Sequence, residues 1–150
     1  MRIAKIKVDP KIISSKPSDG LRWRTRFDFA VSENGKVGLF SSKTKKVVEI
    51  DTCSIALNKI NNSDIFSKKW NGSDRVRVAV SSSDQLNISR GKKTIAGPKK
   101  IREVVGDNFY DISPQSFWQS HTQAPSILSD LVVDFMKLKP GEIVCDLYGG

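Results

Sequence analysis

Cysteine and histidine are scarce in this sequence, which has two cysteines and one histidine in 150 residues. Cys53 and Cys145 cannot form a disulfide framework, and this excludes a small secreted fold held together by disulfides. No apolar run approaches the roughly 18 residues that a transmembrane helix needs, so we expect no membrane partner. Residues 1–7 lack the apolar stretch of a secretory signal. We therefore expect a cytoplasmic protein whose thiols are reduced.

The length and the apolar content indicate a small folded protein. A chain of 150 residues accommodates one ordinary domain, or one small domain with part of another. Hydrophobic residues make up 38% of the sequence and aromatic residues 8%. This is enough for a packed core and too much for a disordered chain.

The charge is distributed unevenly along the chain. Residues 1–105 contain 23 Lys and Arg against 10 Asp and Glu, a balance of +13, whereas residues 106–150 contain 2 against 6, a balance of −4. We therefore predict two domains, a basic central domain over 1–105 and the start of a second domain over 106–150. Charge alone leaves two alternatives for the basic part, which are nucleic-acid binding and a merely soluble basic surface.

Strict alternation over residues 21–31 predicts a half-buried strand. Its even positions include Arg22, Arg24 and Arg26, and its odd positions are mostly apolar, namely Leu21, Trp23, Thr25, Phe27, Phe29 and Val31. The pattern predicts an aromatic core on one face and three arginines on the other. Asn34-Gly35 then predicts a hairpin turn, because both residues tolerate positive φ. The return strand is expected over 36–40.

The rest of the basic part continues the sheet pattern. Residues 47–50 and 75–80 predict two further strands, and in the second of these Arg75 and Arg77 alternate with valines. Residues 54–60 predict a short helix, and the basic residues of 90–93 and 98–100 are expected in loops or at strand ends. The region 21–105 is therefore predicted to be a mostly antiparallel sheet with one or two helices.

The acidic part contains an amphipathic helix, predicted over 124–138. Pro125 suits the first helical turn, and Pro140-Gly141 ends the helix. Its apolar stripe consists of Ala124, Leu128, Leu131, Val132 and Phe135. A short buried strand is expected over 143–148, ending in Gly149-Gly150. This order is typical of the start of a parallel nucleotide-binding domain, although any strand can end in two glycines.

Phe117-Trp118-Gln119 precedes this helix and has two interpretations. The two rings and the amide could line a pocket, with the rings stacking on a ligand and Gln119 hydrogen-bonding it. Alternatively, the rings simply anchor the start of the helix.

Four segments, in this order, carry a resemblance to a known family. They are 20–26, the hairpin 35–39 with 48–53, the pre-helix segment 112–121 and the glycine segment 144–150. The chain resembles the middle of bacterial RNA uracil-C5 methyltransferases, the TrmA/RumA-type family of S-adenosylmethionine enzymes. The resemblance implies an α/β (α+β) fold. A mostly antiparallel central domain would be followed by the first helix and strand of a Rossmann-like class I methyltransferase domain.

The resemblance also implies roles for individual residues. S-adenosylmethionine would be contacted by Gln119, Asp146, Tyr148, Gly149 and Gly150. The RNA, either rRNA or tRNA, would lie against the basic region that includes Arg22, Arg24 and Arg26. Cys53 matches a position that ligates a [4Fe–4S] cluster in some members of the family. Two cysteines cannot supply four ligands, so we expect no metal site and a free, partly buried Cys53 thiol.

The catalytic groups of the family have no counterpart in this sequence. The family reaction needs a thiolate that adds to uracil C6 and a base that removes the C5 proton, and in the family both lie far beyond the glycine segment. Cys145 falls inside the predicted strand, so we expect a structural thiol there. His121 would lie beside the methyl donor, or would simply be a polar residue near a helix start.

We therefore expect a truncated methyltransferase that is inactive alone, with weak or no binding of S-adenosylmethionine. The alternative is a stand-alone RNA-binding module, or half of a split enzyme completed by a separate carboxyl-terminal chain. Because the last predicted strand would expose apolar edges, we expect it to pair with the central sheet, to drive homo-oligomer formation or to be disordered.

Overall fold

The computed structural model describes residues 12–16, 19–72 and 75–147. Within these ranges, the chain forms eight strands and two helices. The strands are β1 (Arg26–Val31), β2 (Val37–Phe40), β3 (Val47–Glu49), β4 (Val76–Val80), β5 (Leu86–Arg90), β6 (Lys93–Ala96), β7 (Ile101–Val105) and β8 (Asn108–Ile112). The helices are α1 (Asn58–Asn61) and α2 (Ala124–Met136).

The described strands form one antiparallel sheet and one hairpin. Six strands are arranged in the order β3-β2-β1-β4-β5-β6, and every neighbouring pair is antiparallel. β7 and β8 pair separately over residues 101–112. The prediction of a mostly antiparallel α+β structure with few helices is confirmed. The predicted helix over 54–60 is shorter than expected and begins later, at Asn58.

The alternation in β1 and β4 places one face of the sheet in the core. Phe27, Phe29 and Val31 point to this face, and Phe29 is fully buried. The segment 53–70 covers them, with Phe66 meeting Phe29 edge-on at a ring separation of 5.5 Å. Trp70 closes this core and donates its indole N–H to the Ile65 carbonyl at 2.9 Å. Burial of this aromatic face is the main source of stability for the sheet.

The predicted hairpin at Asn34-Gly35 is confirmed. Val31 pairs with Val37, and Gly35 adopts φ +79°. A Cβ at Gly35 would lie 2.8 Å from the Trp70 carbonyl oxygen, so glycine is required both for the turn and for the close approach of residue 70.

Arg26 does not lie on the surface, and the expectation that it shares an exposed face with Arg22 and Arg24 is wrong. Its guanidinium donates to the Glu103 carboxylate at 2.8 Å and to the Pro114 carbonyl at 3.1 Å, and its side chain is 9% exposed. The other Glu103 oxygen accepts the Ser82 backbone N–H at 2.9 Å. The alternation placed Arg26 opposite the aromatic core correctly, but the β7–β8 hairpin and the segment after β8 cover that second face.

The predicted boundary between residues 105 and 106 falls in the turn that joins β7 to β8. The two strands pair along their whole length, from Ile101 with Ile112 to Val105 with Asn108. The division into two domains therefore stays a prediction, with the hairpin lying across its boundary.

The helix predicted over 124–138 is confirmed as α2, and Lys137 ends it in the left-handed conformation with φ 48°. Its apolar stripe is not buried by the described residues. Val132 is 55% exposed and Phe135 is 75% exposed. No helix among the described residues has the length and apolar character needed to span a bilayer.

The strand predicted over 143–148 is wrong for the part that the structure describes. Residues 142–147 adopt no strand conformation, and Ile143 is 95% exposed. A strand exists only through hydrogen bonds to a neighbour, and none of the eight described strands pairs with this segment. Cys145 is consequently exposed rather than buried. Tyr148 lies outside the described residues.

The buried ion pair gives a first prediction. Glu103→Gln leaves the buried Arg26 cation without a counter-ion. We therefore expect the free energy of unfolding to fall by about 3–5 kcal/mol. Urea denaturation followed by tryptophan fluorescence measures this loss. Asp111→Asn is the matched control, because its pair with Arg102 is half exposed and should contribute little. Equal losses in the two variants would contradict the role assigned to Glu103.

Glu49 gives a second prediction, which concerns pH. Hydrogen bonds from Ser32 Oγ at 2.7 Å and from Asn34 Nδ2 at 2.9 Å lower the pKa of Glu49. Its contribution to stability is therefore present above the ordinary glutamate pKa and is lost as the pH falls through the lowered folded-state value.

We expect Ser32→Ala to raise the Glu49 pKa toward its usual range, as measured by NMR titration of the Glu49 carboxyl carbon. An unchanged titration midpoint would show that the Ser32 hydrogen bond does not form in solution.

Candidate functional site

The segment between β8 and α2 carries Gln119 and is fastened to the start of β1. Thr25 donates its backbone N–H to the Ser120 carbonyl at 2.7 Å and its hydroxyl to the same oxygen at 3.0 Å. The Thr122 N–H reaches the Trp23 carbonyl at 3.1 Å. An antiparallel bridge between Arg24 and His121 accompanies these bonds, so backbone pairing fixes the position of residues 120–122, directly after Gln119.

Two adjoining pockets share Trp118 and Gln119. One, of about 360 Å³, is also lined by His121, Glu103 and Asp84. The other, of about 350 Å³, is more apolar, and its further lining residues are Val105, Tyr110, Phe117, Pro125, Leu128 and Ser129. All three residues of Phe117-Trp118-Gln119 line the second pocket, and Phe117 is 86% exposed. Ligand binding by this segment stays a prediction.

His121 both lines the first pocket and holds the start of α2. Its Nδ1 accepts the Gln123 backbone N–H at 3.1 Å, and its Nε2 lies 3.0 Å from Ser15 Oγ. Because a backbone N–H can only donate, Nδ1 is the acceptor here. The ring stacks on Trp23 with centroids 5.3 Å apart. His121 is thus a structural residue at the helix start whose ring also forms part of the pocket wall.

The remaining predicted cofactor residues do not meet Gln119 in the described structure. Asp146 lies in the exposed segment after α2 and lines neither pocket. Tyr148, Gly149 and Gly150 lie outside the described residues.

The strand predicted over 21–31 begins only at Arg26, so Arg22 and Arg24 precede β1. Both are engaged locally. Arg22 has φ 52° and pairs with Asp19. Arg24 donates its Nε–H to the Arg26 carbonyl at 3.0 Å, and its guanidinium lies 5.0 Å from the centre of the Phe27 ring. Both remain accessible, so their RNA contact stays a prediction.

A basic cavity of about 750 Å³ was not foreseen as a site. It is lined by Asp28, Arg75, Arg77, Arg90, Gly91, Lys92 and Gln115. Arg77 donates to the Asp28 carboxylate at 3.1 Å and to the Gln115 carbonyl at 3.4 Å. Three cationic side chains, those of Arg75, Arg77 and Lys92, therefore meet the Asp28 carboxylate in one concave surface, which gives it a net positive charge and suits an anionic ligand. Arg90 pairs with Val76 across β4 and β5, so its side chain lies on the opposite face of the sheet.

The sequence contained part of the signal for this cavity. Alternation over 75–80 placed Arg75 and Arg77 on the face opposite the valines, as the structure confirms. The β5–β6 hairpin adds Lys92, and only the pairing of β4 with β5 places that hairpin beside Arg77.

Cys53 is free and partly buried, as expected. The Asn61 side chain holds the Cys53 backbone on both sides, with its oxygen accepting the N–H and its nitrogen donating to the carbonyl, each at 3.0 Å. The described residues contain no group of three or more His, Cys, Asp or Glu arranged to hold a metal ion.

Curated relatives of this chain are RNA methyltransferases. One, an uncharacterized RNA methyltransferase of Streptomyces coelicolor, is 25% identical over a gapped alignment of 156 positions that covers 85% of this chain and 34% of the relative. Another, from Corynebacterium diphtheriae, is 24% identical and covers 99% of this chain and 41% of its own length. A third, from Lactobacillus johnsonii, is 38% identical over 68 residues, 44% of this chain and 15% of the relative.

A solved structure shares the fold. The Pyrococcus abyssi tRNA (uracil-54, C5)-methyltransferase, in complex with S-adenosyl-L-homocysteine, aligns with a TM-score of 0.55 at 16% identity. The alignment covers 77% of this chain and 41% of that enzyme. No family model matches the chain. The chain spans about a third of the length of the curated relatives that it matches over most of its own length.

Proposed function

We propose that this chain, a homologue of RNA methyltransferases of the TrmA/RumA type, is the RNA-contacting part of an enzyme that methylates uridine at C5. The observation that carries the proposal is the similarity of 85% of the chain to one continuous stretch of curated RNA methyltransferases. The methyl group would come from S-adenosylmethionine, and the substrate would be rRNA or tRNA. The chain spans about a third of the length of these relatives, so the transfer reaction is proposed for a protein of their full length.

The basic cavity supports the RNA-binding half of the proposal. RNA presents one phosphate charge per nucleotide, and Arg and Lys bind it by neutralising phosphates and releasing counterions. Arg77 is held in place by Asp28 and by the Gln115 carbonyl, so its guanidinium is pre-positioned and loses little freedom on binding. Arg22 and Arg24 would add contacts outside the cavity, since neither of them lines it.

The pockets at Gln119 support the cofactor half of the proposal. Trp118 offers a ring face for a purine, and the Gln119 amide both donates and accepts hydrogen bonds, so these two residues fit part of S-adenosylmethionine. When bound, the cofactor would supply an electrophilic methyl group. Asp146, Tyr148, Gly149 and Gly150 remain proposed contacts that would complete the site.

The alternative function is one half of a split enzyme, or an RNA-binding module that works alone. The exposed apolar side of α2 favours a partner chain or a second copy, because Val132 and Phe135 are more than half exposed. A cytoplasmic location agrees with the free thiols of Cys53 and Cys145.

RNA binding by phosphate contacts has a measurable salt signature. We expect the chain to bind a single-stranded RNA oligonucleotide with an affinity that falls linearly on a log–log plot against salt, with a slope of about −0.7 per phosphate contact. Lys92→Ala should make the slope shallower by about 0.7. A filter-binding titration between low and moderate salt measures this.

Lys139→Ala is the matched control for charge, because it removes one lysine from the acidic part of the chain and should leave the slope unchanged. Absence of binding, or a flat salt dependence, would refute the RNA-contacting role.

The transfer reaction gives a separate prediction. We expect the 150-residue chain, incubated with tritiated S-adenosylmethionine and bulk RNA, to incorporate no label above background. The reason is that the resemblance places the nucleophilic thiolate and the base in a part of the relatives that this chain does not span. The Pyrococcus abyssi enzyme with tRNA serves as the positive control, and turnover by this chain would overturn the expectation.

A further inference from the structure

Phe40 is an exposed ring next to the basic cavity. It is the last residue of β2, and half of its surface is accessible. The Arg75 guanidinium lies 5.3 Å from the centre of the Phe40 ring. A single exposed phenylalanine is common on protein surfaces. A ring held beside a guanidinium, however, forms a specific surface for a flat, polarisable ligand.

Arg75 contacts the Phe40 ring and also lines the basic cavity. Its guanidinium donates to the Asp28 carbonyl at 3.3 Å and lines the cavity together with Arg77 and Lys92. A ligand whose anionic part lies in the cavity can therefore also contact the Phe40 ring, because Arg75 lies beside both.

The loop that follows Phe40 is also basic. Residues 40–45 form a shallow pocket of about 440 Å³, in which Lys43 and Lys45 accompany the ring. The ring is thus bordered both by the lysines of the β2–β3 loop and by Arg75 of the cavity. This is the combination that binds single-stranded nucleic acids, which is an aromatic platform for a base within a cationic path for the backbone.

We propose that this surface, consisting of Phe40, Lys43, Lys45 and the basic cavity, binds an unpaired stretch of RNA. One base stacks on Phe40, and a neighbouring phosphate enters the cavity between Arg75, Arg77 and Lys92. The inference rests on the proposed function and specifies which RNA and which residues are involved. The surface shares no lining residue with the two pockets at Gln119.

The chemistry selects unpaired RNA over duplex RNA. In a duplex the bases are stacked on each other, so none is available to Phe40, and recognition reduces to phosphates and 2′-hydroxyls. An unstacked base has a free face. Stacking on an aromatic side chain stabilises the complex to a similar degree for every type of base. The surface is therefore expected to prefer single strands without strong preference for their sequence.

The test measures binding of a fluorescently labelled single-stranded RNA oligonucleotide by anisotropy. Phe40→Leu keeps an apolar side chain of similar length and removes the ring face, so we expect affinity to fall roughly 5- to 150-fold. The salt slope should stay unchanged, because no phosphate contact is lost. Phe40→Trp should retain or improve affinity, since it restores a ring.

Leu39→Ala is the matched control, because Leu39 is the neighbouring residue of β2 and is similarly exposed at 45%. We expect it to leave affinity unchanged. Thermal unfolding of each variant verifies that the sheet is intact, and a duplex RNA of the same length should bind more weakly than the single strand and be insensitive to Phe40→Leu.

The outcomes separate this inference from the proposed function. If the unmodified chain binds single-stranded RNA with a steep salt dependence but Phe40→Leu binds as well as Leu39→Ala, the stacking site is refuted and the RNA-contacting role stands. Equal sensitivity of duplex and single strand to Phe40→Leu also refutes the stacking site. If the unmodified chain binds no RNA, both proposals fail.

Discussion

The buried contact between Arg26 and Glu103 is the constraint on which the arrangement of the chain depends. It joins β1 of the six-stranded sheet to β7 of the separate hairpin, and the same guanidinium holds the Pro114 carbonyl at 3.1 Å. Two charges buried together at 2.8 Å are stable only if each is well partnered, and Glu103 also accepts the Ser82 N–H. This contact therefore specifies where the hairpin and the following segment lie, whatever its net contribution to stability.

The segment that follows the hairpin brings the two candidate sites into one framework. Gln115 lines the basic cavity, and Gln119, four residues later, lines the pockets beside α2. The Gln115 carbonyl accepts a hydrogen bond from Arg77 at 3.4 Å. Gln119 is held in place through its neighbour Ser120, whose carbonyl accepts the Thr25 N–H. As proposed, an RNA in the cavity and a methyl donor at Gln119 would therefore both contact residues of this one segment.

Much of the fold was predictable from local patterns. Alternation located β1 and β4, the Asn34-Gly35 pair located the first hairpin, and three- and four-residue spacing located α2, because these signals act within one element. Arg26 was misassigned because alternation distinguishes two faces of a strand without showing which element covers each. The segment 142–147 was misassigned because apolar residues make a strand only when another strand pairs with them.

Local patterns along the chain were enough to predict the antiparallel sheet, the helix and the resemblance to RNA methyltransferases, since periodicity, turn residues and short motifs are properties of neighbouring positions. It also identified Gln119 as a pocket candidate, and the structure places that residue in a pocket wall. The burial of Arg26, and the shared surface of Phe40, Arg75 and Lys92, became visible only in the folded chain. Those relations join residues far apart in the chain, and they follow from strand order and from the packing of the hairpin, which no local pattern encodes.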